Sequence, residues 1–141
     1  MKRRTLLKSI PTVTLLPALL RDAAAREIGD SSVYELRVYH AAPGKLADLL
    51  ARFRDHTVAI FDRHGMKSVA YWTPTDEPEK SNTLIYILRH PSREVATANW
   101  KSFQDDPEWK SVRDKSEENG KLVEKVDSTY MTMTDFSPGL R

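Results

Sequence analysis

Glu35, Arg37 and Tyr39 stand two residues apart in the segment Val33-Tyr34-Glu35-Leu36-Arg37-Val38-Tyr39-His40. In an extended chain that spacing puts all three on one face, opposite Tyr34, Leu36 and Val38. An acid, a base and a phenol converging in a partly dry cleft suit a small polar or anionic ligand, with the guanidinium as a bidentate anchor and the phenol as donor. The same residues suit a second role equally, a Glu–Arg ion pair that registers two copies of the chain across a dimer seam. Tyr71, Trp72 and Tyr86 are the aromatic candidates for the same cavity or seam, and of the three tryptophans Trp72, beside a polar loop, is the best placed to stack on a ligand. His56 keeps step with Leu49, Phe53 and Ile60, which puts it on the apolar side of a helix. There it would be either a proton carrier near neutral pH or a half-buried histidine bonded to backbone. His64 reads as a last-turn residue answering a helix C-terminus, and His40 and His90 as loop histidines that end strands. No metal motif follows from the four, because the helical pair His56 and His64 is two turns apart. The chain has no cysteine, hence no disulfide framework, thiolate nucleophile or Cys-built metal site.

The elements that must position these groups follow from periodicity. Val33 to His40 alternates as a strand, Pro43-Gly44 breaks it, and Lys45 to His64 carries apolar residues at the three-and-four spacing of an amphipathic helix closed by Gly65. Met66 to Thr73 and Thr83 to Arg89 are β-branched and aromatic, and they flank a polar loop with two prolines, Pro74 to Ser81. Pro91-Ser92 opens a second helix, and Asp106-Pro107-Glu108 restarts a third with Asp as cap and Pro in the first turn. Leu122 to Met133 alternates again as a fourth strand. The order β-α-β-β-α-α-β is the α+β, ferredoxin-like plan, a four-stranded antiparallel sheet whose second crossover is broken in two. Helices cover one face of such a sheet. Tyr39, Val69, Tyr71, Tyr86 and Tyr130 are too many to share that side, which predicts an aromatic patch on the other face and a second copy packed over it, the dimeric α+β barrel.

The front of the chain reads as an export leader. Arg3 and Arg4 lie within Lys2-Arg3-Arg4-Thr5-Leu6-Leu7-Lys8, ahead of an apolar run from Ile10 to Leu20 and the small residues Ala23-Ala24-Ala25. The layout resembles a twin-arginine signal, departing in Lys2, where Ser or Thr is usual, and in Leu6, where Phe is usual. A membrane span needs roughly 20 apolar residues, and this run is shorter and broken by Pro11 and Pro17. The expectation is a cleaved leader over 1–25, a joint over 26–32 and a domain over 33–138, exported to the periplasm or beyond, with no membrane span kept after cleavage. Removing five bases and one acid with the leader leaves 17 basic and 19 acidic residues, a formal charge of about −2. Nucleic acid is therefore an unsupported partner.

Tyr34-Glu35-Leu36-Arg37-Val38-Tyr39, Pro43-Gly44-Lys45, Phe53-Arg54-Asp55-His56-Thr57, Phe61 with His64-Gly65, and Tyr71-Trp72-Thr73 together resemble the NIPSNAP family. Asn82-Thr83-Leu84-Ile85-Tyr86, Trp100 with Phe103, Asp106-Pro107-Glu108-Trp109 and Thr134-Asp135-Phe136-Ser137-Pro138 extend the likeness to Val33–Pro138. The resemblance implies a ferredoxin-like dimeric α+β barrel and supplies no catalytic set, since the family's activity is undefined. What it leads us to expect is a homodimer that binds a small molecule near Glu35, Arg37, Tyr39 and Tyr71, without a resident cofactor. The alternatives are a cofactor-free or heme-dependent oxygenase or isomerase with His56 as base or ligand, and a protein-interaction module.

Overall fold

A computed structural model of the chain describes residues 31–140, so the leader expectation lies outside the described residues. Four antiparallel strands, β1 (Val33–Ala41), β2 (Lys67–Trp72), β3 (Thr83–His90) and β4 (Val123–Met131), form one sheet in the order β2-β3-β1-β4. This is the ferredoxin-like α+β plan that the periodicity predicts.

The long first helix is not uniform. It runs as α1 (Leu46–Arg52), a π-helical turn over Phe53–Thr57, and α2 (Val58–Arg63). The wider turn moves the hydrogen bond out by one residue, so Val58 N–H donates to the Phe53 carbonyl and the Thr57 hydroxyl donates to the Arg52 carbonyl at 3.2 Å. One extra residue per turn rotates the helix face. Thr57 takes the buried position and His56 is exposed, which corrects the expectation that His56 faces the apolar side. Gly65, at φ 72°, ends the helix in the left-handed conformation that only glycine adopts cheaply, and Met66 N–H closes back onto the Phe61 carbonyl at 2.9 Å.

The second crossover splits as expected. In α3 (Arg93–Asp105) the Ser92 hydroxyl caps Val95 N–H at 3.1 Å. In α4 (Pro107–Ser116) Asp106 Oδ1 accepts from Glu108 N–H at 2.7 Å and Trp109 N–H at 3.3 Å.

The register decides the two faces of the sheet. Tyr39, Tyr71 and Tyr86 all lie on the helix-covered side, where Phe53 meets each of them at ring-centroid distances of 5.3–6.0 Å and Phe61 stacks behind. Tyr130 lies on this side too, opposite Glu35 in the β1–β4 register. The predicted aromatic patch on the open face is therefore corrected: rings pack edge to face in layers, so the covered side takes all four of these tyrosines, Tyr86 fully buried and Tyr39 and Tyr71 packed against it. Beside Tyr34 at its end, the open face carries aliphatic side chains. Leu36 pairs with Ile87 and Val38 with Ile85, half-buried residues flanked by Trp72, which is 47 % exposed.

Candidate functional site

At the centre of the covered face lies Glu35, whose side chain is 1 % exposed. Four donors converge on it. Oε1 accepts from Arg37 Nη1 at 2.7 Å and Ser128 Oγ at 2.8 Å, and Oε2 accepts from Trp100 Nε1 at 2.6 Å and His90 Nε2 at 3.1 Å. Each comes from a different element, so the carboxylate ties β1, β3, β4 and α3 to one point. Burial alone would raise its pKa, but the bonds from His90, Trp100, Arg37 and Ser128 win and bring it down to about 2. Glu35 is thus a permanent anion at neutral pH.

Arg37 stands beside it with its guanidinium 4.2 Å from the Trp100 ring centroid and 5.4 Å from that of Tyr39. Nη2 donates to the Tyr39 hydroxyl at a long 3.4 Å, and Nε has no partner. Burial pulls this guanidinium down, while Tyr39, Tyr86 and Glu35 push it further up, and the net direction is up. The Arg37 side chain is 16 % exposed. Its register partner Ser128 lies on β4, whose side chains stay exposed from Glu124 to Thr129. The guanidinium therefore reaches solvent beside a strip of sheet formed by Val126 and Ser128.

Deeper in, the Tyr86 hydroxyl and His90 Nδ1 are buried without a hydrogen-bond partner. Burial holds the Tyr86 phenol well above its ordinary range. Tyr71 stacks on Tyr86 at 5.3 Å and 27° and shares a 2.7 Å hydrogen bond with the Ser68 hydroxyl.

Of the residues singled out in the sequence, Glu35, Arg37, Tyr39, Tyr71 and Tyr86 come together. Trp72 does not, because the strand alternation that brings Tyr71 inward sends its neighbour to the open face. The Glu35–Arg37 pair closes within one chain beneath the helices and needs no second copy to form. Arg37 is also not a free bidentate fork, since Nη1 is committed to Glu35. Sequence reasoning missed His90, Trp100 and Ser128 as partners of Glu35. His90 is a fully buried strand residue, not a loop histidine. His40 likewise meets an acid that the fold supplies, Asp127 at 2.9 Å across β1 and β4. His64 caps α2 and bonds to Asp106 at 2.6 Å and Ser102 at 2.8 Å.

His56 belongs to a different place, a cleft of about 640 Å³ between α1 with its π-helical turn and α4. Lys45, Asp48, Asp55, Glu108 and Lys115 line its walls and Arg52 its base. A heme needs an apolar slot for its macrocycle, and these charged walls do not fit one. Among the described residues no group of three or more His, Asp or Glu side chains is set to hold a metal ion, and no helix is long and apolar enough to cross a membrane.

Comparison with known proteins agrees with this architecture. The chain is similar to a NIPSNAP-like domain protein from Burkholderia xenovorans (18 % identity, TM-score 0.67, 79 % of this chain and 93 % of that one). It is similar also to a NIPSNAP family protein of unknown function from Agrobacterium tumefaciens str. C58 (24 % identity, TM-score 0.64, 78 % and 94 %). More distantly it shares its fold with SnoaB, a cofactor-independent oxygenase from Streptomyces nogalater (14 % identity, TM-score 0.50, 77 % and 98 %). No curated protein matches the chain. The NIPSNAP family model matches residues 34–138, from the strand that carries Glu35 and Arg37 to the closing Ser137-Pro138, and the chain belongs to that family.

Proposed function

We propose that this chain is an exported, homodimeric protein that binds a small molecule through a carbonyl or carboxylate oxygen at Arg37. The observation that carries the reading is the state of that guanidinium. It is held in place by Glu35 and Trp100, is nearly buried, and keeps Nη2 and the adjacent Tyr39 hydroxyl for a ligand arriving over Ser128 and Val126. Fixed donors beside an aromatic wall are the polar minority of a ligand pocket.

Binding is favoured over catalysis by Glu35. A general base must give up its hydrogen bonds to take a proton near neutral pH, and a carboxylate saturated by four donors with a pKa of about 2 is a poor one. The fold shared with a cofactor-independent oxygenase is compatible with an enzyme but assigns no reaction. Dimerisation rests on the open sheet face, where Leu36, Val38, Ile85 and Ile87 form an apolar surface that a second sheet would cover. Export rests on the twin-arginine-like leader.

Native mass spectrometry on the chain expressed with its own leader tests all three parts. The expected spectrum is a dimer that lacks the leader mass and carries a bound small molecule, which is lost in Arg37→Met. Ile87→Lys, on the open face, is expected to yield monomer. A bare protein that gains no mass from a panel of small carboxylates and ketones would sink the binding reading, and a monomeric wild type would sink the pairing.

A further inference from the structure

The cleft between α1 and α4 has no part in the site above, and it contains Arg52, a buried arginine. The Arg52 side chain is 5 % exposed. Nη1 donates to Ser116 Oγ at 3.2 Å and Glu117 Oε1 at 3.3 Å, Nε has no partner, and the guanidinium lies 5.2 Å from the Trp109 ring centroid. A buried cation held by one long contact to a carboxylate is under-compensated. Glu117 is itself 32 % exposed at the C-terminal end of α4, free to swing into solvent. Arg52 ends α1 immediately before the π-helical turn, and its carbonyl accepts from the Thr57 hydroxyl.

The walls carry both signs of charge. Lys45 is engaged by Asp48 at 3.6 Å, and Glu108 by Arg63 at 2.7 Å. Asp55 and Lys115 have no ion-pair partner among the described residues and Arg52 has only Glu117, so once Glu117 is displaced one negative and two positive groups face the cleft. A simple anion would meet the Asp55 carboxylate, and a simple amine would meet two cations. A molecule with both charges meets complementary groups. From this geometry we infer that the cleft between α1 and α4 binds a small zwitterion of the amino-acid type, its carboxylate displacing Glu117 from Arg52 and its ammonium facing Asp55. The volume, about 640 Å³, is in the range of small-molecule sites and leaves room for a side chain.

The test is a ¹H–¹⁵N NMR titration of the full chain with L-glutamine, read at Arg52 Nε–H, the Trp109 indole N–H and the backbone of 51–56 and 108–119. Sodium acetate, ethylammonium and inorganic phosphate are titrated in parallel. The expected result is a saturable shift confined to these signals with L-glutamine, at least about tenfold tighter than with acetate or ethylammonium alone. Asp55→Asn, an exposed substitution that leaves the core untouched, should weaken L-glutamine binding at least threefold, and Arg52→Gln should abolish it. Glu117→Gln separates the inference from a purely structural role for Arg52. Removing an internal competitor should tighten binding about threefold, whereas a residue that only pins α4 gives no change. No localised shift, an unaltered affinity in Glu117→Gln, or an equal response to phosphate, which would mean an adventitious ion only, overturns it.

Discussion

Two arginines of this small domain are drawn in from solvent, Arg52 fully and Arg37 by most of its side chain, and they are held in opposite ways. Arg37 sits against a carboxylate at 2.7 Å that three further donors fix in place. Arg52 reaches its carboxylate at 3.3 Å, and that partner hangs from the half-open end of a helix. Their ionisation follows suit: the surroundings of Arg37 push its pKa up, whereas burial, only partly opposed by Glu117, pulls that of Arg52 down. The difference teaches that burial alone does not say what a charge is for. A cation whose counter-charge is locked by several elements is part of the frame, and only its spare donors are available to a ligand. A cation with a displaceable partner is free to exchange that partner.

Breaking the frame should have the largest effect. Glu35→Gln removes the charge that four donors share and leaves Arg37 buried without it, at an expected cost of about 3–5 kcal/mol in urea unfolding. A cost below about 1 kcal/mol would erase the distinction between the two sites. Acid should reproduce much of this loss. The Glu35 pKa lies below its ordinary 4.5, at about 2 in the fold, so its contribution is present above 4.5 and disappears as pH falls from 4.5 through about 2. That gap corresponds to about 3 kcal/mol. Unfolding free energy measured at several pH values should fall across this window in the wild type and stay flatter in Glu35→Gln.

The arginines can then be compared directly. Arg37→Met withdraws one of four donors from a buried carboxylate and should cost about 2–3 kcal/mol. Arg52→Met replaces an under-compensated cation by an apolar chain of similar length over Trp109 and should stay within about 1 kcal/mol. Equal losses for the two would show that Arg52 is as firmly compensated as Arg37. The smallest effect is expected at Tyr86, whose hydroxyl is buried without a partner. Tyr86→Phe should be neutral or stabilising by up to about 1 kcal/mol. A clear loss on thermal denaturation would mean that the hydroxyl is bonded in solution.

The candidate residues of β1 were legible because strand alternation is local: Glu35, Arg37 and Tyr39 had to share a face. The cap at Asp106, the helix start at Pro91-Ser92 and the stop at Gly65 were legible for the same reason, since such signals act within a few residues of their own position. His56 was not. Helical spacing extrapolates an α-turn, whereas a π-helical turn over Phe53–Thr57 buries Thr57 and leaves His56 at the surface. His90, Trp100 and Ser128 were not legible either, because they lie 55, 65 and 93 residues from Glu35.

From the sequence by itself came the order of elements, the family and a sheet with one face left open, because each depends on periodicity and motif along the chain; the aromatic character expected of that face did not follow. The tertiary structure alone decided which face that is. The charged side of β1 went inward, because one carboxylate could gather donors from three other elements there, while Leu36, Val38, Ile85 and Ile87 were left outside. A strand pattern says only that two faces differ. Which one is covered depends on what the rest of the chain brings to meet it.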